Sequence, residues 1–171
     1  ENDANEADVD EEKATIASNA YSLLMDWNYP PGLRSDGSYD GEQLNTWIEA
    51  VKKSCLETGH WEVASHQIGE VLYYAPMEEQ GLWTDSVSEI LNSKEDGEYR
   101  RGLRIRIFNS RGVHGDTGGK EEIELAEQWE GVASQAEAKG FVRLATTLRE
   151  LGQSYRSDAK RYVVEDLHDL E

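Results

Sequence analysis

One stretch alone in this chain alternates apolar and polar side chains as a half-buried strand would: Leu103, Ile105 and Ile107, separated by Arg104 and Arg106. A single strand leaves its backbone N–H and C=O groups without neighbours, and no second segment offers pairing. The same stretch also reads as a helix, because Tyr99, Leu103 and Ile107 recur every four residues. Tyr99 to Phe108 is therefore assigned to a helix, and sheet drops out of the architecture.

The remaining segments repeat that period between clear stops. From about Lys13 to Trp27, Ile16, Tyr21, Leu24 and Trp27, supported by Ala20 and Leu23, fall near one helical face, and Pro30-Pro31-Gly32 ends the run. Asp40 is placed to cap a second helix carrying Leu44, Trp47, Ile48, Val51 and Cys55, which stops near Gly59. A third runs from Trp61 to about Tyr74 with Pro76 beyond it, and Thr84 is placed to cap a short fourth that ends near Ser93. After the Tyr99 helix, Ile123, Leu125, Ala126, Trp129, Val132, Ala133 and Ala136 mark a sixth, ended by Gly140. A seventh extends from Phe141 toward Leu167, with Gly152 weakening its middle by about 1 kcal/mol relative to Ala. The expected fold is all-α: about seven amphipathic helices in a compact irregular bundle, with five Trp and eight Tyr supplying packing surface. Trp27, Trp47, Trp61, Trp83 and Trp129 sit at helix ends or on apolar stripes, where packing is their expected role.

At 171 residues, one domain is the default. Residues 1–12 hold seven acids, no base and almost nothing apolar, the composition of a solvated tail, which leaves 13–171 as the helical domain. A first residue of Glu1 with no initiator Met is what a domain cut from a longer protein, or a processed form, would show. Seventeen Lys and Arg against 35 Asp and Glu give a formal charge of -18, which argues against a nucleic-acid backbone or an anionic membrane as partner. No apolar run approaches the roughly 18 residues of a membrane span. Cys55 is the only cysteine, so no internal disulfide forms, and a cytoplasmic setting is expected.

A change of chemistry occurs at Asn109 to Lys120. An Arg-bearing helix (Arg100, Arg101, Arg104, Arg106, then Arg111) runs into a glycine-dense loop, and an acidic helix begins after it. Glycines 112, 115, 118 and 119 permit positive φ, so backbone N–H groups can converge on a phosphate or carboxylate beside a helix N-terminus. The candidate ligand-binding residues are Arg111, Gly112, His114, Thr117, Gly118 and Gly119. A phosphate-binding P-loop is excluded, because His114 stands where a glycine is required and Glu121 where Ser or Thr would bind magnesium. The plainer reading is a connector whose Arg111 and His114 are tied to nearby carboxylates, with the Arg stripe neutralised internally.

Other motifs are incomplete. Asp36, Ser38, Asp40 and Gly41 match half of an EF-hand loop, but Trp47 occupies the closing Glu position, and a turn plus a helix cap accounts for the same residues. His60, Glu62, His66 and Glu70 lack helical zinc spacing, so a salt-bridged histidine is expected there. Cys55 reads as buried and inert. No metal, cofactor or catalytic residue is assigned.

Several patches follow one another along the chain: Trp27 with Pro30-Pro31-Gly32; Asp36-Gly37 with Asp40, Leu44 and Trp47; Ile68-Gly69 with Leu72 and Ala75-Pro76. Then come Gly81-Leu82-Trp83, Asn109 to Val113, and Gly118-Gly119 with Glu122, Leu125 and Ala126. Together, from about Ala20 to Asp158, they resemble a helical region toward the C-terminus of large, mostly uncharacterised bacterial proteins. The resemblance implies one part of a longer chain and brings no activity; at His114-Gly115-Asp116 this chain departs from the basic residues of that region. The expected function is a non-enzymatic interaction or scaffold domain with a protein partner, using its helical surface and the Arg111 to Gly119 loop. One rival is an acidic decoy that imitates nucleic acid, drawing on the tail and Glu165, Asp166, Asp169 and Glu171. The other is a small-anion binder or enzyme centred on Arg111 and His114, which needs a pocket into which Asp116, Thr117 or a carboxylate of the following helix converges.

Overall fold

The computed structural model of the chain describes residues 26–112 and 119–168, the last seven by their backbone alone. Six helices follow in order: α1 Gly41–Thr58, α2 Trp61–Leu72, α3 Asp85–Leu91, α4 Glu98–Ser110, α5 Lys120–Ala138 and α6 Val142–His168. No strand longer than a single bridge occurs among the described residues, and the Arg-rich stretch is helix, with Tyr99, Leu103 and Ile107 buried on one face. The count is six rather than about seven because the expected first helix and the acidic tail lie, up to residue 25, outside the described residues; Asp26 is helical where the description begins.

Local chemistry sets the ends. Asp40 accepts the Gln43 N–H at 3.0 Å and so starts α1, while Gly59, at φ 73°, turns the chain out of it. Gly140, at φ 87°, ends α5, with the Phe141 N–H returning to the Ala136 carbonyl at 2.7 Å. Thr84 sits at the start of α3 as expected, but its hydroxyl meets Ser86 Oγ rather than a backbone N–H. The first turn of α6 is capped from outside: Asn92 Oδ1 accepts the N–H groups of Arg143 (2.8 Å) and Leu144 (3.3 Å).

Two tightly packed pairs organise the bundle. In α5 and α6, which run antiparallel, Arg156 forks onto Glu130 (2.8 and 2.6 Å) and Arg149 pairs with Glu137. Gly152 belongs to this pair. A Cβ there would stand 2.9 Å from Glu130 Cγ and 3.2 Å from the Ala126 carbonyl oxygen, so the residue that weakens α6 by propensity is what lets α5 approach.

The α2/α4 pair is closer still. A Cβ at Gly102 would overlap the His66 carbonyl oxygen and one at Gly69 would overlap that of Tyr99, so the two backbones cross in direct contact. His66 lies over the crossing, its imidazole 3.6 Å from Glu70 and 3.3 Å from Glu98. Between the pairs, Trp83 is fully buried and stacks on Trp129 (6.2 Å, 16° between rings), its indole N–H directed at the Tyr73 carbonyl. Leu44, Leu72, Leu91, Leu103, Leu144 and Leu148 complete the core.

Gly102→Ala should therefore reverse the ordinary helix-propensity sign. It is expected to lower stability by about 2–3 kcal/mol through overpacking, whereas Gly131→Ala, an exposed site in α5 with open space around it, should raise it by up to about 1 kcal/mol. Denaturant unfolding of both variants checks this, and a stabilised Gly102→Ala would mean the helices do not cross backbone to backbone.

Candidate functional site

The junction expected to carry chemistry is built from three helices. Arg111 ends α4, where a cation complements the helix dipole, and Glu122 lies in the first turn of α5, where a carboxylate does the same. The two side chains pair directly. Glu122 is only 2% exposed and Arg111 11%; the guanidinium also lies 4.0 Å from Asp158 and 5.7 Å from the centre of the Tyr155 ring, both on α6. Burial pushes the Tyr155 phenol above its ordinary value, with Arg111 pulling it part of the way back. One guanidinium thus ties the end of α4 to the start of α5 and the middle of α6.

Gly119 reaches the same turn of α6 from the other side of the loop. At φ 80° it leads into α5, and a Cβ on it would lie 2.7 Å from the Ala159 carbonyl oxygen. Gly112, at φ 71°, faces open space. Arg111 and Gly119 are therefore brought together on residues 155–159, while His114, Thr117 and Gly118 lie outside the described residues. An anion at this place would meet Glu122 and Asp158 as well as Arg111, so the guanidinium offers it no surplus positive charge.

The rest of the Arg stripe is tied internally, each residue to a different neighbour. Arg100 donates to the carbonyls of Leu91 (2.9 Å), the last residue of α3, and Ser93 (2.6 Å) just after it, and Arg101 pairs with Glu98 at 3.6 Å. Arg104 reaches Glu150 on α6 at 3.7 Å, and Arg106 lies over the Tyr74 ring at 4.9 Å. In the loop before α1, Asp36 accepts the Ser38 N–H and hydroxyl (2.9 and 2.6 Å), while Asp40 accepts from Gln43 and Arg34. These hydrogen bonds hold both carboxyls below their ordinary values. Among the described residues no group of three or more His, Cys, Asp or Glu is arranged to hold a metal ion.

A second site was not anticipated. α1 turns Leu44 and Ile48 into the core, and further along the same stripe Val51 and Cys55, with Trp47 at its edge, stand opposite Val63, Ala64 and Ile68 of α2. Between them runs an apolar groove of about 500 Å³, with Trp27 at its rim packed edge-on against Trp47 (5.3 Å, 89°). Cys55, expected to be buried, is instead half-buried on the groove wall, because the buried part of the α1 stripe, Leu44 and Ile48, lies in the first half of the helix and Cys55 stands beyond it. Val63 on the groove is 66% exposed, and Leu56 beside Cys55 is 59% exposed. The length of that stripe was the available signal; a stripe read as buried throughout conceals that the core covers only its first half.

Removing either partner of the Arg111–Glu122 pair leaves a buried charge uncompensated, so Arg111→Met and Glu122→Leu should each cost about 3–5 kcal/mol, while the double variant should lose less than either. Chemical denaturation of all three tests this; additive losses would show that the two charges are not coupled.

Comparison with protein-family models, with curated proteins and with solved structures finds no match to this chain.

Proposed function

We propose that this chain is a non-enzymatic helical interaction domain, one part of a larger bacterial protein, and that the apolar groove between α1 and α2 is its contact surface. The carrying observation is the groove itself: about 500 Å³ lined by Trp47, Val51, Cys55, Val63 and Ile68, with exposed Val63 and Leu56 alongside, on a chain whose net charge is -18. A protein this polar gains nothing in solubility from leaving such side chains open, and exposed apolar surface of this kind marks an interaction site. Two parallel ridges with an apolar trough between them accept the apolar face of an amphipathic helix. Paired carboxylates such as Glu130 and Glu137, each held below its ordinary pKa by an arginine, belong to the internal framework and are not available to imitate a phosphate backbone. Arg111, tied to Glu122, belongs to that framework as well.

No helix among the described residues is long and apolar enough to cross a membrane.

A photo-crosslinking side chain placed at Val63 tests this in bacterial lysate, with Val142, an exposed apolar residue at the start of α6, as the control position. One dominant protein adduct is expected from position 63 and none from 142, and it should persist in roughly 1 M salt, where the Debye length is about 3 Å. Adducts formed equally at both positions, or lost in salt, would replace this reading with that of an acidic decoy.

A further inference from the structure

Two turns of the chain are built alike. In the first, the Arg34 N–H donates to the Ser38 carbonyl (2.9 Å), the Gly37 N–H to the Arg34 carbonyl (2.9 Å) and the Asp40 N–H to the Gly32 carbonyl (2.8 Å). Forty-four residues later the same three bonds recur, from Glu78 to Leu82 (2.7 Å), Gly81 to Glu78 (2.8 Å) and Thr84 to Pro76 (3.4 Å). Each turn closes on a bridge, Leu33 with Tyr39 and Met77 with Trp83, and each holds a glycine at positive φ in the same place (Gly37, 81°; Gly81, 85°). Each then leads straight into a helix, α1 or α3. α1 has 18 residues and α3 has 7, a difference close to three whole turns at about 3.6 residues per turn. Beyond them the spacing agrees again: Gly69 follows Thr58, the last residue of α1, at the distance at which Gly102 follows Leu91, the last of α3. The crossing of α2 and α4 is also reciprocal. Gly69 faces the Tyr99 carbonyl and Gly102 that of His66, each carbonyl lying three residues before its own helix's glycine, as in a two-fold contact between like parts.

The two turns differ in what lies on them. Val132 and Gln135 of α5 and Lys139 just after it, at i, i+3 and i+7, are seated on the second. Val132 Cγ2 is 3.5 Å from where a Cβ on Gly81 would stand, Gln135 Nε2 donates to the Gln80 carbonyl (2.9 Å), and Lys139 Nζ donates to the Glu78 carboxylate (2.8 Å). On the first turn residues 34–38 are exposed, and a Cβ on Gly37 would meet nothing within 4 Å among the described residues. Arg34 stands in the place of Glu78; its side chain is 59% exposed, and one amino group rests on Asp40 at 2.6 Å.

We propose that residues 32–72 and 76–110 are two copies of one turn–helix–helix unit, and that the turn Leu33–Tyr39 docks a helix of a partner protein as its twin docks α5. That helix presents a small apolar residue, an amide and a carboxylate at i, i+3 and i+7. The first two meet Gly37 and the Asp36 carbonyl as Val132 and Gln135 meet Gly81 and Gln80. A carboxylate takes the place of lysine because Arg34 takes the place of Glu78, and the guanidinium has further N–H groups to offer it. No residue of 33–39 lines the α1/α2 groove, and the docking does not depend on it.

Two helical peptides serve as probes, each carrying Gly131–Lys139 with a lactam joining positions 134 and 138, one unchanged and one with Lys139→Glu. Each is titrated to millimolar concentration into the isotopically labelled full chain, and backbone amide shifts are followed. The Lys139→Glu peptide is expected to shift Arg34 to Tyr39 saturably, and the unchanged peptide to bind there roughly threefold more weakly, in keeping with one exposed ion pair. In the Arg34→Glu chain the preference should reverse. Silence at 34–39, shifts at 78–82 instead, or a preference that survives Arg34→Glu would each overturn the docking. The likeness of the turns is checked separately by placing the second turn's residues in the first: Arg34→Glu, Ser35→Glu, Asp36→Gln and Ser38→Leu together. That chain should melt cooperatively within a few degrees of the parent, and adding Gly37→Ala should lower the melt sharply, because a side chain at that φ is strained. Equal losses with and without Gly37→Ala would show that the turns do not share one backbone.

Discussion

The contact on which the other helices depend is the crossing of α2 and α4 at Gly69 and Gly102. With no Cβ at either position, the carbonyl oxygens of Tyr99 and His66 occupy the space side chains would have filled, and the helices meet backbone to backbone. The arrangement carries a conformational cost, since glycine weakens a helix interior by about 1 kcal/mol. It is offset by the packing that close approach allows, with Ile68 and Leu72 of α2 and Leu103 and Ile107 of α4 buried together. Because α4 is held this firmly against α2, its C-terminal end is carried to α6, and its arginines arrive beside Glu150, Asp158 and Glu122.

Those arginines act as ties in a chain with a large excess of acid. Most are exposed or half-exposed, and pairs of that kind contribute little apiece. Arg111 differs because it and Glu122 are nearly dry, so the energetic asymmetry lies in loss rather than gain: the intact pair adds little, and a broken one is costly. The pair also sits where two helix dipoles favour its charges, which explains why this position holds a buried pair while Arg101 and Arg104 remain near solvent.

Much of the fold was legible in the sequence because helical period, caps and glycine stops are local signals. Asp40, Gly59 and Gly140 act where their neighbours in sequence place them, and Tyr99, Leu103 and Ile107 point inward as the period required. What was not legible depends on partners distant in the chain. Gly69, Gly102 and Gly152 look like weaknesses until the opposing helix is in place. Asn92 gives no hint that it caps a helix beginning some fifty residues later. That Arg111 would meet a carboxylate follows from composition, but which of 35 acids it meets does not. The groove was concealed for a related reason: Trp47, Val51 and Cys55 share a stripe with Leu44 and Ile48, and one-dimensional periodicity does not reveal where along a helix the core stops covering it.

The anchoring of Arg111 and Gly119 on one turn of α6 bears on how such a fold can diversify. With both ends of the intervening loop fixed to the same short stretch, residues 155–159, the loop's length is decoupled from the positions of α4, α5 and α6. Each doubling of such a loop adds only about 0.6 kcal/mol of closure entropy. Insertions and exchanges between Gly112 and Gly119 are thus among the cheapest changes available to this architecture. Lineages built on it are free to vary that segment while the helices beneath remain as they are.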